Sequence, residues 1–143
     1  MSEFVQVNSA ETTLSADLLE LGKPRVTTLV VLTAALGLFL APGTPDAGRA
    51  LAFLAGTALL VASANTLNCW LERESDGKML RTRNRALPSG RIAPAIALAV
   101  GVAEGGVALL ALALSTNLLV VMLGAFAHLS YVLAYTPMKR MSP

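Results

Sequence analysis

Asn68, Glu72 and Asp76 recur every four residues in the stretch NTLNCWLERESDGKMLRTRNRALPSGR, which runs from Asn65 to Arg91. Lys78, Arg81, Arg83, Arg85 and Arg91 follow the last of them. At roughly 100° per residue, helical positions i, i+4 and i+8 spread over an arc of about 80°. The amide and both carboxylates therefore share one face if the helix continues to about Asp76. Magnesium takes oxygen ligands, keeps several waters, and binds through one or two carboxylates together with substrate phosphates. Alternating arginines within RTRNR offer forked donors to phosphate oxygens. The pattern suits a magnesium-bound diphosphate.

The elements that must carry these side chains belong to a membrane protein. Fifty-five per cent of the 143 residues are hydrophobic, 14% are charged, and the mean hydropathy is +0.64. Four stretches approach the roughly 20 residues needed to cross about 30 Å of hydrocarbon. They predict helices over about 24–41, 50–76, 93–114 and 117–138, with the polar motif at the end of the second. Pro24 suits a first helical turn, and Pro42-Gly43-Thr44-Pro45 breaks the chain between the first pair. Ser115-Thr116-Asn117 breaks it between the third and fourth. Such short links predict antiparallel neighbours in an all-α transmembrane bundle.

Ten of the eleven Lys and Arg residues fall at or before the first turn of the first helix, from the end of the second helix to the start of the third, or after the fourth; Arg49 alone lies on the other side. This asymmetry predicts that both termini and the motif loop are cytoplasmic. A net charge of +2 is too small to point to nucleic acid. From Glu72 to Arg91 six basic residues meet three acidic ones, and acids inside a basic loop are hard to explain by membrane anchoring alone. The competing account is a solvated loop that obeys the positive-inside rule, with Glu72–Asp76 forming helix-end ion pairs. Residues 1–20 hold Glu3, Glu11, Asp17 and Glu20 but no Lys or Arg, which fits neither a transit peptide nor a secretory signal. They are read as a cytoplasmic tail that becomes helical near a bacterial inner membrane. The single cysteine, Cys69, permits no internal disulfide and is read as a small apolar filler.

Asn68-x-x-x-Glu72-x-x-x-Asp76, continued by Met79-x-Arg81-Thr82-x-x-Arg85 and Leu87-Pro88-Ser89-Gly90-Arg91, resembles the first signature of the protohaem IX farnesyltransferases (haem O synthases). These are UbiA-type intramembrane prenyltransferases. Lys23-Pro24-Arg25-Val26-Thr27 resembles the start of that family's first helix, and Tyr131-x-x-x-Tyr135-Thr136-Pro137-Met138-Lys139-Arg140 the end of its fourth. The likeness covers nearly everything after about Leu18. One departure is Ala86, where the family usually has proline; it is expected to loosen the loop without removing a catalytic group.

The resemblance implies farnesyl transfer from farnesyl diphosphate to a vinyl group of haem b, giving haem O and diphosphate. Asn68, Glu72 and Asp76 would then be the catalytic magnesium ligands, with Lys78, Arg81 and Arg85 on the diphosphate. Lys23, Arg25, Asn65, Tyr131, Tyr135 and Lys139 become possible substrate contacts. It also implies that residues 21–143 form the N-terminal half of a bundle of about nine helices, whose second acidic motif lies in the other half. The 143 residues are therefore expected to be inactive without that half. An alternative acceptor is an aromatic or quinone precursor, although Glu72 in the middle ligand position and the Met79-x-Arg81-Thr82 continuation favour haem. A different alternative is a non-enzymatic membrane subunit.

Two intramembrane residues carry competing readings. Glu104 is costly within lipid and so a functional candidate, yet Gly105 and Gly106 beside it favour a close helix contact across which it could hydrogen-bond. His128 raises the question of a haem ligand against that of a hydrogen-bonding packing residue. Tyr131 and Tyr135 share a face where interfacial aromatics are expected, and line either a pocket or the membrane boundary.

Overall fold

The computed structural model describes residues 16–135, Tyr135 by its backbone alone. Every regular element among them is helical: α1 (Pro24–Leu40), α2 (Ala47–Lys78), α3 (Pro94–Ser115) and α4 (Leu118–Leu129), the last passing into a π-helical turn, Ser130–Tyr135. A short helix over 16–21 precedes α1. The expected tail and fourth helix extend outside the described residues at 1–15 and 136–138, as does Lys139. Pro24 and Pro94 stand at the first positions of their helices, where a missing N–H leaves nothing unpaired. The Asn117 side chain accepts from Val120 N at 3.0 Å and so caps α4.

The centre of the bundle is α2. Gly56 faces Ala108, Ala111 and Leu112 of α3, while Ser63 and Leu67 face Gly101, so α2 and α3 run antiparallel. Leu60 meets Gly124 and Ser63 meets His128, so α4 runs parallel to α2 along its other side. The buried face of α3 is Ala97, Gly101, Gly105, Ala108 and Leu112. A Cβ at Gly101 would stand 2.7 Å from Leu67 Cδ2, and one at Gly105 2.9 Å from Ser63 Oγ. These small residues let the backbones approach, as membrane helix contacts require. Of the glycine pair expected to do this, only Gly105 does; a Cβ at Gly106 meets nothing within 4 Å.

The distribution of side chains is inverted relative to a water-soluble fold. Ser63, Asn65, Thr66 and Asn68 are buried, whereas Leu29, Leu36, Phe39, Leu114, Leu118 and Phe126 are exposed. Buried polar groups inside an apolar exterior are what hydrocarbon surroundings select. Two helices, α2 and α3, are long and apolar enough to cross a membrane, and Pro24–Leu40 and Leu118–Ala134 are shorter apolar helices. A conventional apolar core lies at one end, where Leu21, Cys69, Ala86, Leu87, Ile92 and Ala97 pack with Leu18 and Trp70. That end collects the start of α1, the end of α2 and the start of α3.

Candidate active site

Continuation of α2 to Lys78 brings Asn68, Glu72 and Asp76 onto one buried face, as their spacing predicts. Asn68 Nδ2 donates to Glu72 Oε2 at 3.2 Å. One turn further along, Asp76 Oδ2 lies 3.3 Å from Arg85 Nη1. The chain folds back after Met79, and Thr82 Oγ1 donates to the Asp76 carbonyl at 2.8 Å. Buried Thr82 thus ties the basic loop to the end of the helix, a role its place in the motif did not disclose.

A cavity of about 240 Å³ opens at this end, lined by Lys23, Asp76, Arg85, Glu20 and Cys69 with the loop residues Ala86, Leu87 and Pro88 and, from the short first helix, Leu21. Of the candidate residues, Asp76, Arg85 and Lys23 meet there. Lys78 and Arg81 are exposed and do not line it; α2 ends at Lys78, and the reversal that follows sends their side chains outward. Arg25 is also exposed. Lys23 reaches the rim through a left-handed backbone, φ 49° and ψ 72°. A following proline disfavours the right-handed helical region, and a side chain held at positive φ carries local strain. Its surroundings hold it there: Lys23 N donates to Glu20 O, while Thr27 Oγ1 and Asn65 Nδ2 both donate to Gly22 O. Asn65 therefore fixes the start of α1 against α2.

The loop is not loosened at Ala86. Its side chain is fully buried, and its carbonyl accepts from Ile92 N at 3.2 Å and Ser89 Oγ at 3.3 Å. Packing replaces the stiffness that proline would have supplied. Gly90, at φ 82°, makes the turn that closes this loop. Cys69 is buried, with Sγ 3.9 Å from the Leu21 carbonyl, as suits a filler.

A second, mostly apolar cavity of about 300 Å³ lies between α1, α2 and α4, with Asn65, His128 and Tyr131 among its lining. Tyr131 stands in the π-helical turn, a distortion found often at functional positions. His128 Nε2 is 2.8 Å from Ser63 Oγ, which is also 2.6 Å from the Gly101 carbonyl. A carbonyl can only accept, so the serine proton goes to Gly101 and His128 donates through Nε2. The bond joins α2 to α4 and makes His128 a packing residue. Glu104 is bridged to α2 by Thr66 Oγ1, 3.4 Å from its Oε2.

A hard divalent cation fits the donor set on α2, two carboxylates and an amide oxygen. No group of three or more His, Cys, Asp or Glu residues forms a metal cage among the described residues. Of these three residues only Asp76 lines the cavity; Glu72 and Asn68 lie one and two turns back along the buried face of α2.

Fold and cavity define a helical membrane protein with a charged chamber at one end of its bundle. The chain belongs to the UbiA prenyltransferase family, whose pattern matches residues 30–143. It is similar to a protein named protoheme IX farnesyltransferase in Myxococcus xanthus (strain DK1622), 55% identical over 127 residues, which are 89% of this chain and 43% of the relative. A protein of the same name in Anaeromyxobacter dehalogenans (strain 2CP-C) is 48% identical over 126 residues, 88% of this chain and 43% of the relative. One from Cereibacter sphaeroides (strain ATCC 17029 / ATH 2.4.9) is 42% identical over 128 residues, 89% and 41% respectively. The chain thus spans less than half the length of these relatives. No solved structure matches it.

Proposed function

We propose that this chain contributes the diphosphate-holding half of a haem O synthase, which transfers a farnesyl group from farnesyl diphosphate to a vinyl group of haem b. The observation that carries this reading is the meeting of Asp76, Arg85 and Lys23 around one cavity at the polar end of the bundle. The names of the relatives support protohaem IX and a farnesyl group as the reacting partners, and the charged cavity supports a diphosphate as the carrier of that group. The remaining helices of the family's bundle, with their second acidic motif, would complete the site. The basic end would face the cytoplasm at a bacterial inner membrane, as the ten-to-one division of Lys and Arg supports.

Asp76, with Glu72 and Asn68 behind it, would hold magnesium against the diphosphate. When bound, that ion would act as a Lewis acid that neutralises charge on the departing group. Arg85 lines the cavity and spends one donor on Asp76, so the rest of its fork would be available to a phosphate. A phosphate oxygen would compete for the guanidinium and leave the carboxylate for the metal. Lys23 would supply a second cation from the opposite wall. Fixed charges aimed at the leaving oxygens lower the barrier to breaking the allylic carbon–oxygen bond. The apolar cavity between α1, α2 and α4 would shelter the isoprenoid chain from water. Lys78 and Arg81 would act from outside the cavity, on approach of the substrate.

The test is prenyl transfer by the full-length protein in proteoliposomes, with haem b and 4-hydroxybenzoate offered as competing acceptors. Farnesylated haem as the sole product, lost in Asp76→Ala, is the expected result. Prenylated 4-hydroxybenzoate would move the chain to the aromatic branch of the family, and no transfer to either would refute the reading.

A further inference from the structure

Arg91 lies outside the cavity but touches both segments that shape its rim. Its Nη1 stands 2.9 Å from Asp17 Oδ1 and its Nη2 3.9 Å from Glu20 Oε2, both on the short helix over 16–21. On the other side Nη2 donates to the Asn84 carbonyl at 2.8 Å and Nε to Ser89 Oγ at 3.2 Å. The first set of partners belongs to the wall that carries Glu20, Leu21 and Lys23, and the second to the loop that carries Arg85 and Pro88. These walls come from distant parts of the sequence. Leu21 and Leu87 share the small core beneath the cavity, and Arg91 supplies the polar tie.

Asp17 makes the tie directional. It is only 4% exposed, and Arg91 is the cation paired with it among the described residues. A carboxylate taken out of water and left without its counter-charge is strongly unfavourable, and the cheapest relief is to swing it back to solvent. Asp17 sits on the short helix that leads into Lys23, so its relief strains that wall of the cavity. Arg91 points its fork at protein groups, although its place at the end of Leu87-Pro88-Ser89-Gly90-Arg91 invites a reading as a phosphate ligand.

We propose that Arg91 and Asp17 form a clamp that sets the spacing between Lys23 and Arg85, making Arg91 a positioning residue for a diphosphate group. This rests on the reading of the cavity as the diphosphate site. Lysine cannot replace the arginine, because a single ammonium lacks the planar fork that serves Asp17 and Asn84 together. Loss of the clamp misplaces one cationic wall, and misplacement on the scale of 1 Å costs up to about 100-fold.

The experiment is calorimetric titration of inorganic diphosphate with magnesium into the full-length protein, alongside steady-state kinetics of prenyl transfer. Arg91→Ala and the near-isosteric Asp17→Asn are each expected to weaken diphosphate binding by about 10- to 100-fold. Both should raise KM for the prenyl diphosphate and lower kcat, and leave KM for the acceptor unchanged. Asp17→Ala combined with Arg91→Ala should bind better than Arg91→Ala alone, because no unpaired carboxylate remains buried. Wild-type affinity in both single variants would overturn the clamp and leave the cavity reading standing. Loss confined to Arg91→Ala, with Asp17→Asn normal, would make Arg91 a ligand and also overturn it. No diphosphate binding by the wild-type protein would overturn the cavity reading, and the clamp with it.

Discussion

Replacing Gly105 by alanine tests the contact that holds α3 on α2. The new Cβ would stand 2.9 Å from Ser63 Oγ, about half an ångström inside ordinary contact. Ser63 cannot step aside cheaply, because its hydroxyl is held at 2.6 Å by the Gly101 carbonyl and at 2.8 Å by His128. Overpacking of this kind costs about 2 kcal/mol. Exchange of glycine for alanine within a helix returns about 0.9 kcal/mol, so Gly105→Ala should destabilise by about 1 kcal/mol. Ser63→Ala gives up two interhelical hydrogen bonds at about 0.6 kcal/mol each, again about 1 kcal/mol. The double variant should escape the clash, because the oxygen that caused it is gone; its Cβ then meets His128 Nε2 at an ordinary 3.6 Å. Helix propensity then offsets most of the lost hydrogen bonding, and the pair together should cost less than about 0.5 kcal/mol. The signature is a coupling of about 2 kcal/mol, with the double variant more stable than either single one. Reversible unfolding in mixed micelles, followed by the helical circular dichroism signal, measures all three. Additivity within about 0.5 kcal/mol would refute the placement of Ser63 against Gly105.

In the full-length enzyme, Asp76→Ala should lower prenyl transfer by about 100-fold or more, the scale seen when one oriented electrostatic group is removed; initial rates at saturating substrate measure it. Arg85→Gln should raise KM for farnesyl diphosphate by about tenfold or more, because a charged donor inside the cavity is lost, while Arg81→Gln should change it by less than about threefold. Equal effects in the two variants would contradict the placement of Arg81 outside. Thr82→Val removes the buried bond to the Asp76 carbonyl and should cost about 1–2 kcal/mol, read as a lower melting temperature in detergent. A cysteine at Ser75, with Cys69→Ala as background, should react with an impermeant maleimide from the cytoplasmic side only. Labelling from the periplasm would invert the proposed orientation.

What was legible in the sequence was mostly local. Period four put Asn68, Glu72 and Asp76 on one face, and the helix does continue that far. Prolines and the break at Pro42-Gly43 placed the helix ends within a few residues. The cavity was legible only in part. The motif gave Arg81 and Arg85 equal standing, but which of them turns inward depends on where α2 stops and how Thr82 folds the loop back. Asp17 read as one more acid in a polar tail, since its partner Arg91 lies beyond two helices and no spacing rule connects them. Ala86 read as a missing proline because rigidity from burial leaves no local trace. His128 was visible as a polar residue in an apolar helix, but its partner Ser63 was not singled out, and the bond between them is a product of the parallel packing of α2 and α4.

The length of α2 acts as a depth gauge. Its 32 residues measure about 48 Å, against about 30 Å for the hydrocarbon layer. Roughly three turns must therefore stand clear of the lipid core or be taken up by tilt, and the polar residues from Asn68 to Asp76 occupy those turns. On the proposed function, this arithmetic rather than any anchor would keep the acids at the height of the lipid head groups. A prenyl diphosphate, the substrate proposed above, would reach them from water while its hydrocarbon tail stays in the layer where it is soluble. An inserted helical turn in the apolar part of α2 would lift the charged chamber about 5 Å and separate it from the zone that holds the tail. The two halves of such an amphiphilic substrate would in this way be sorted by elevation before any side chain touches them.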